Sequence, residues 1–355
     1  MSAPNEGSGV EHWVAEYTAI RPLYEEYCFK LKHLIIDLVS ELRVPLQSVE
    51  SRPKTLDSFQ EKISRAGKLY EKPLEEVTDL AGLRIILYYP EDVAKIREML
   101  EGEFVVDPDR SVDKGKQLRP EEFGYQSVHL IVKLSKVRGA LREWAKFKNL
   151  TAEIQVRTVL QHAWASISHA LQYKHELEIP LKLRRKLLRL SGLLELADEQ
   201  FSELRQEREV LSQEVVSLIA KEELNVPIDA VSVSKYLETS EVAASIRGEV
   251  KRTKLGLTDD DQGQGTSQLI STCKILNLSS LADLDVQLER VRDSVRRFFQ
   301  NFKKHTEVQC TGSLKHWVAV LLIGSSKQRL SAQEVAQFTN WGIDYAHRVL
   351  RAGSE

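Results

Sequence analysis

The chain has 355 residues, with 50 Lys and Arg against 52 Asp and Glu, a formal net charge of -2. So even a balance makes no global field that would gather nucleic acid or membrane, and any site for a polyanion must be local. At 42% hydrophobic and 29% charged residues, the composition is that of an ordinary globular chain with room for two or three domains. Cys28, Cys273 and Cys310 are odd in number and far apart, which excludes a disulfide framework or a CxxC zinc site. The N-terminus lacks the basic start and apolar run of a signal peptide. The longest apolar run, Trp317 to Ile323, is too short to span a membrane. A reduced, cytoplasmic setting without a membrane partner is expected.

Apolar residues at three- and four-residue spacings predict helix within residues 10–50. A basic, polar stretch follows, "SRPKTLDSFQEKISRAGKLYEKP". "LRIILYY" (83–89) reads as a buried strand ended by Pro90, and "EDVAKIREMLEGE" opens with acids as a helix does. "FVVD" is a short strand candidate, and residues 107–124, rich in Asp, Gly, Pro and Lys, read as a mobile loop. "YQSVHLIVKL" (125–134) and "TAEIQVRT" (151–158) are two further strands. Helical patterning then dominates, broken by an apolar-poor linker at 259–267, "DDDQGQGTS". The order implies an α+β class: a small mixed β-sheet flanked by helices in residues 1–215, then a mainly helical C-terminal module in 216–355.

Two strands carry polar residues where a core strand would not. Side chains alternate along a strand, so Ile154 and Val156 share one face of "TAEIQVRT" while Glu153, Gln155 and Arg157 share the other. In the same way Tyr125, Ser127 and His129 fall together. Taken singly, each strand reads equally as one edge of a half-exposed sheet. The basic stretch adds Arg52, Lys54 and Lys68, and on a helix Ser58, Lys62 and Arg65 lie at i, i+4 and i+7, one face. A hydroxyl with several cations suits a run of phosphates, although alone it reads better as a solvated basic helix. Asp79, just before the buried strand, is either a turn cap or one acid of a magnesium site, which is commonly one or two carboxylates plus substrate phosphates. In "QHAWASISHALQYK", His162, Ser166, His169 and Tyr173 share a helical face, and Trp164 and Leu171 read as core.

Five segments in this order, "RPKTLDSFQEK", "DLAGLRI", "GYQSVH", "EIQVRT" and "WASISHALQYK", resemble the synthetase domain of the RelA/SpoT family, the alarmone or (p)ppGpp synthetases. The resemblance covers roughly residues 50–205. It implies a nucleotidyltransferase-like domain that transfers the β,γ-pyrophosphate of ATP to the 3′-hydroxyl of GDP or GTP with Mg²⁺. By motif position, Arg52 and Arg84 would flank the adenine. Lys54, Ser58 and Lys62, with Arg65 beside them, would hold the ATP phosphates. Asp79 would bind Mg²⁺, and Glu153 would be the second metal ligand or the base. Tyr125 would stack on the acceptor's guanine, with His129, Gln155 and His162 also on the acceptor side. The sequence departs from the family in reading Phe-Gly-Tyr before the acceptor strand where many members have Asn-Gly-Tyr, and in having His162 where small members often have Asn or Asp. No His-Asp dipeptide occurs, so the hydrolase domain of the long members is not expected.

The leading expectation is a single-activity GTP/GDP diphosphokinase. Two alternatives stay open: a toxic small synthetase acting on the tRNA 3′ end or on adenosine nucleotides, and a non-catalytic nucleotide or RNA sensor. The C-terminal module is expected to regulate, or to recruit a second copy, an antitoxin or another regulatory protein.

Overall fold

The computed structural model describes residues 6–65, 69–113, 115, 127–170, 180–258, 263–306 and 310–354. It divides into two compact units, Met1–Leu204 and Arg205–Glu355. The class is α+β, with a five-stranded mixed sheet in the first unit and a helical second unit.

In the first unit the helix α1 (Glu6–Glu41) leads into strand β1 (Leu46–Pro53). Then come α2 (Leu56–Ile63), α3 (Pro73–Glu76), β2 (Ala81–Leu87), α4 (Pro90–Glu103) and β3 (Phe104–Asp113). Strand β4 (Val128–Leu134), α5 (Lys136–Ala140), β5 (Ala152–Thr158) and α6 (Val159–Ala170) complete the sheet region. The long helix α7 (Leu181–Ala220) follows. The strand order is β1-β2-β5-β4-β3, with β5 in the middle. Only β2 and β5 run parallel; the other neighbours are antiparallel.

The core side of the sheet is made by Leu83, Ile85, Ile154, Val156, Leu130 and Val132, all almost fully buried. Tyr17, Tyr24, Tyr27, Leu31 and Ile35 of α1 join the same cluster. Their spacing of three, four or seven residues makes the single apolar stripe that a helix needs to cover a sheet. Pro90 ends the strand and sits in the first turn of α4, where its missing N–H costs nothing.

Three expectations are corrected. Strand β1 lies inside the predicted helical and basic segments. Its residues Ser48, Glu50 and Arg52 are polar, and it is an outer strand of the sheet, so it lacks the apolar run that marks a buried strand. The expected loop from 107 is strand as far as Asp113. Its register against β4 shifts between Asp107 and Val112, which accommodates the turn-prone "DPDRS" in the ladder. The expected linker is helical from Gln264.

The second unit contains α8 (Ala230–Thr239), α9 (Glu241–Arg252), α10 (Gln264–Ile275), α11 (Leu281–Val291) and α12 (Val295–Lys304). After them come α13 (Leu314–Gly324), α14 (Ala332–Thr339) and α15 (Ile343–Ser354). Every residue of α13 from Trp317 to Gly324 is buried, as expected of a helix apolar all round. It packs against α9, α10, α12 and α15, so the apolar run forms the axis of a helical bundle. No helix among the described residues is long and apolar enough to cross a membrane.

Candidate functional site

The polar face of the sheet is continuous across four strands. Arg52 pairs with Gly82 and Glu50 with Arg84 across β1 and β2. Gly82 pairs with Glu153 and Arg84 with Gln155 across β2 and β5. His129 pairs with Gln155 across β4 and β5. Directly opposed residues point to the same side, so this register gathers the charged groups on the face away from the core.

A cleft of about 350 Å³ opens on that face. Arg52, Lys54, Ser58, Asp79, Arg84, Glu153 and Gln155 line it, joined by Glu50 and Thr55, which sequence reasoning did not single out. Asp79 sits in the turn before β2, and both its carboxylate oxygens are taken. Lys54 Nζ donates to Oδ2 at 2.6 Å and Lys62 Nζ to Oδ1 at 2.8 Å. Burial pushes the Asp79 carboxyl up, but the two lysine hydrogen bonds outweigh it and hold the group below the usual carboxylate range.

The position of Lys54 is fixed from behind. Its N–H bonds to Leu80 O at 2.9 Å, and its carbonyl accepts from Tyr17 Oη at 2.8 Å and Arg21 Nε at 3.4 Å. Thus α1 ties down the backbone of a cleft lysine. Thr55 caps α2 by accepting from Ser58 N–H, and its hydroxyl donates to Ser58 Oγ at 2.8 Å.

The second carboxylate, Glu153, bonds through Oε1 to His129 Nδ1 at 2.7 Å and accepts from Gln155 Nε2 at 3.3 Å. Arg157 Nη2 donates to Gln155 Oε1 at 3.1 Å. Burial and the nearby Asp79 charge push Glu153 up, while His129 and Gln155 pull it down, and the net direction is down. Two ionised carboxylates therefore share one cleft with three or more cations. Arg84 also reaches Glu50 at 3.5 Å.

His162 on α6 lies within reach of the Arg157, Glu50 and Arg84 charges. Burial first and Arg157 second lower its pKa, so the ring stays neutral at neutral pH. Arg65 is exposed and reaches Glu61 at 3.7 Å; it does not line the cleft. Trp164, expected in the core, is only half-buried, and no residue of α6 is fully buried. Tyr125, Lys68, Leu171 and Tyr173 lie outside the described residues.

Mg²⁺ takes oxygen ligands and often only one or two carboxylates, the rest being water and substrate phosphates. Among the described residues no group of three or more His, Cys, Asp or Glu gathers as a metal cluster. The two ionised carboxylates of the cleft nevertheless fit Mg²⁺, provided phosphates complete the shell and draw Lys54 and Lys62 off Asp79.

A supporting contact was invisible in sequence. Thr158, at the end of the "EIQVRT" segment, is fully buried and donates from Oγ1 to Asp198 Oδ2 of α7 at 2.7 Å. Burial pushes the Asp198 carboxyl up to about 6, and its Oδ1 is buried with no hydrogen-bond partner. A carboxyl whose folded value is raised stabilises the fold fully below its unfolded value near 4, and that stability is lost as pH rises through about 6. Asp198→Asn keeps an oxygen for Thr158 and cannot ionise. Its unfolding free energy from urea titration should therefore gain on the parent chain between pH 4.5 and pH 8, by about 2–3 kcal/mol. A difference that does not change with pH would remove the assignment.

The description "Region found in RelA / SpoT proteins" matches residues 51–178. Among curated proteins, "GTP pyrophosphokinase YjbM" of Bacillus subtilis (strain 168) is 33% identical over 204 residues, covering 56% of this chain and 90% of the relative. "GTP pyrophosphokinase YwaC" of the same organism is 29% identical over 167 residues, covering 46% of this chain and 75% of the relative. A crystal structure of small alarmone synthetase 1 from Bacillus subtilis bound to its product pppGpp is 31% identical. It covers 56% of this chain and 97% of that chain, with a TM-score of 0.44. With nine-tenths of the first relative matched at that identity, the chain belongs to the RelA/SpoT family.

Proposed function

We propose that the chain is a pyrophosphokinase that transfers the β,γ-pyrophosphate of ATP to the 3′-hydroxyl of GDP or GTP. The observation that carries the reading is the pair of ionised carboxylates, Asp79 and Glu153, in one cleft with Arg52, Lys54 and Arg84. Relatives named GTP pyrophosphokinase support the acceptor.

The reaction forms a bond from the acceptor's 3′-oxygen to the β-phosphorus and breaks the bond between that phosphorus and the α,β-bridging oxygen. AMP leaves, and the 3′-hydroxyl gives up its proton. Such transfer depends on positioning and charge neutralisation more than on covalent chemistry. Lys54, Lys62 and the Ser58 hydroxyl meet the phosphates, and Arg52 and Arg84 present guanidinium planes to the adenine. Asp79 and Glu153 would hold Mg²⁺, which neutralises the charge on the transferred group. His129 orients Glu153 through its 2.7 Å contact. A carboxylate held below its ordinary range is always ready as an anion but is a weak base. That favours metal holding as the main role of Glu153, with proton acceptance secondary. Gln155 and His162 belong to the acceptor side, together with Tyr125. Residues 216–355 add no chemistry in this reading and serve as a regulatory or partner-binding module.

The test is incubation with γ-labelled ATP and, separately, GDP, GTP, AMP, ATP or tRNA. Label is expected in the guanosine nucleotides. Label confined to tRNA or adenosine nucleotides overturns the acceptor, and label in none of them overturns the enzyme.

A further inference from the structure

The second unit has a pocket of its own, of about 430 Å³. That size lies within the usual range for a small-molecule site. Its walls carry three cations and no carboxylate: Arg290 from α11, Arg297 from α12, and Lys327 from the turn after α13. Hydroxyls of Ser294, Ser325 and Ser326 stand among them, and Phe298 and Leu322 supply an apolar floor.

These charges are not committed elsewhere. Among the described residues, none of the three makes an ion pair. Arg290 donates to the neutral amide of Gln287 at 3.2 Å. The neighbouring acid Glu289 is occupied by Arg292 at 3.2 Å. Three cations from separate elements, drawn to one concavity without an anion, repel one another and gain from a multiply charged ligand. Cations past the end of a helix are ordinary, which accounts for Lys327 singly. It does not account for the convergence of all three on a cavity.

The floor is preformed. A Cβ built on Gly353, which lines the pocket, would lie 1.5 Å from Gly324 O, and one on Gly324 would lie 2.2 Å from the Phe298 ring. Helices α13 and α15 therefore meet backbone to backbone under the pocket, and neither can shift inward to close it. Phe298 is 3% exposed, so packing holds its ring in place at the pocket wall.

We propose that this pocket binds a phosphorylated small molecule: its phosphates against Arg290, Arg297 and Lys327, its planar or apolar part toward Phe298 and Leu322. The proposal does not rest on the pyrophosphokinase reading, because every group it uses lies in the second unit.

Hydrogen–deuterium exchange on the full chain tests it, with GTP, inorganic pyrophosphate and a single-stranded RNA oligomer as separate probes. GTP should protect peptides spanning 287–298 and 322–328 more than pyrophosphate does. Arg290→Ala/Arg297→Ala/Lys327→Ala should abolish that protection while leaving protection around Asp79 and the melting temperature unchanged. All three side chains are exposed, so the variant should fold. Absence of protection by GTP overturns the proposal. Protection by the RNA alone also overturns it, since the face would then serve a polynucleotide. Failure of the catalytic reading would show instead as no label transfer, with this protection intact.

Discussion

Asp79→Asn should lower pyrophosphate transfer by at least about 100-fold, the order of loss seen when one group stabilising transition-state charge is removed. The substitution keeps shape and one acceptor oxygen but removes the charge that Lys54 and Lys62 now neutralise from 2.6 and 2.8 Å. Those lysines are then freer to meet phosphates, so ATP binding measured without divalent metal should not weaken. This opposite response of binding and turnover separates loss of a metal ligand from a collapsed site. The Asp79 side chain is 21% exposed, so the freed ammonium groups keep access to water, and melting should fall by no more than a few degrees. Transfer within about threefold of the parent chain, in a folded Asn variant, would remove Asp79 from the catalytic set.

Trp317→Ala should be the most damaging single change in the second unit. The indole is fully buried, lies edge-on to Phe299 and Phe302 at 6.0 Å from each, and donates from Nε1 to Gly256 O at 3.1 Å. Truncating such a ring costs about 3–5 kcal/mol. For a unit of this size that shifts the midpoint by about 6–20 °C. Calorimetry of the full chain should show the loss in the transition that carries the second unit. Gly256 pairs with Thr311 in the small parallel bridge of β6 (Gly256–Leu257) with β7 (Thr311–Gly312), so this bridge should become protease-sensitive as well. An unchanged melting profile would mean that α13 is not the axis of that core.

What the sequence disclosed depends on where each interaction lies along the chain. Glu153, Gln155 and Arg157 were legible because strand alternation leaves polar residues on one face of an otherwise apolar run. The strand β1 was not, because an outer strand with Glu50 and Arg52 on its working face has no apolar signature. The extension of β3 through "DPDRS" was hidden by turn-forming residues that lie in a register shift, with pairing to β4 resuming at Val112. The grip of Tyr17 and Arg21 on the Lys54 carbonyl, and that of Asp198 on Thr158, join segments 33 to 40 residues apart. No local pattern reports such pairs. In the second unit the apolar run at 317–323 marked a buried element, while the cationic pocket draws Arg290, Arg297 and Lys327 from separate elements and becomes visible only when they converge.

The strand order carries a further consequence, for assembly of the protein as it is made. β5 is the last of the five strands to leave the ribosome, yet it fills the middle of the sheet, between β2 and β4. Until residue 158 has emerged, the chain can form only two separate antiparallel pairs, β1 with β2 and β3 with β4. Each has one open edge rich in Leu, Ile and Val, and unpaired edges of that kind invite association with other chains. The strand that closes both edges also brings Glu153 to the cleft. A nascent chain can therefore hold neither a complete sheet nor both acids until the same short segment docks. Pauses in translation before that segment has left the ribosome would prolong the aggregation-prone state, whereas pauses after it has docked would not.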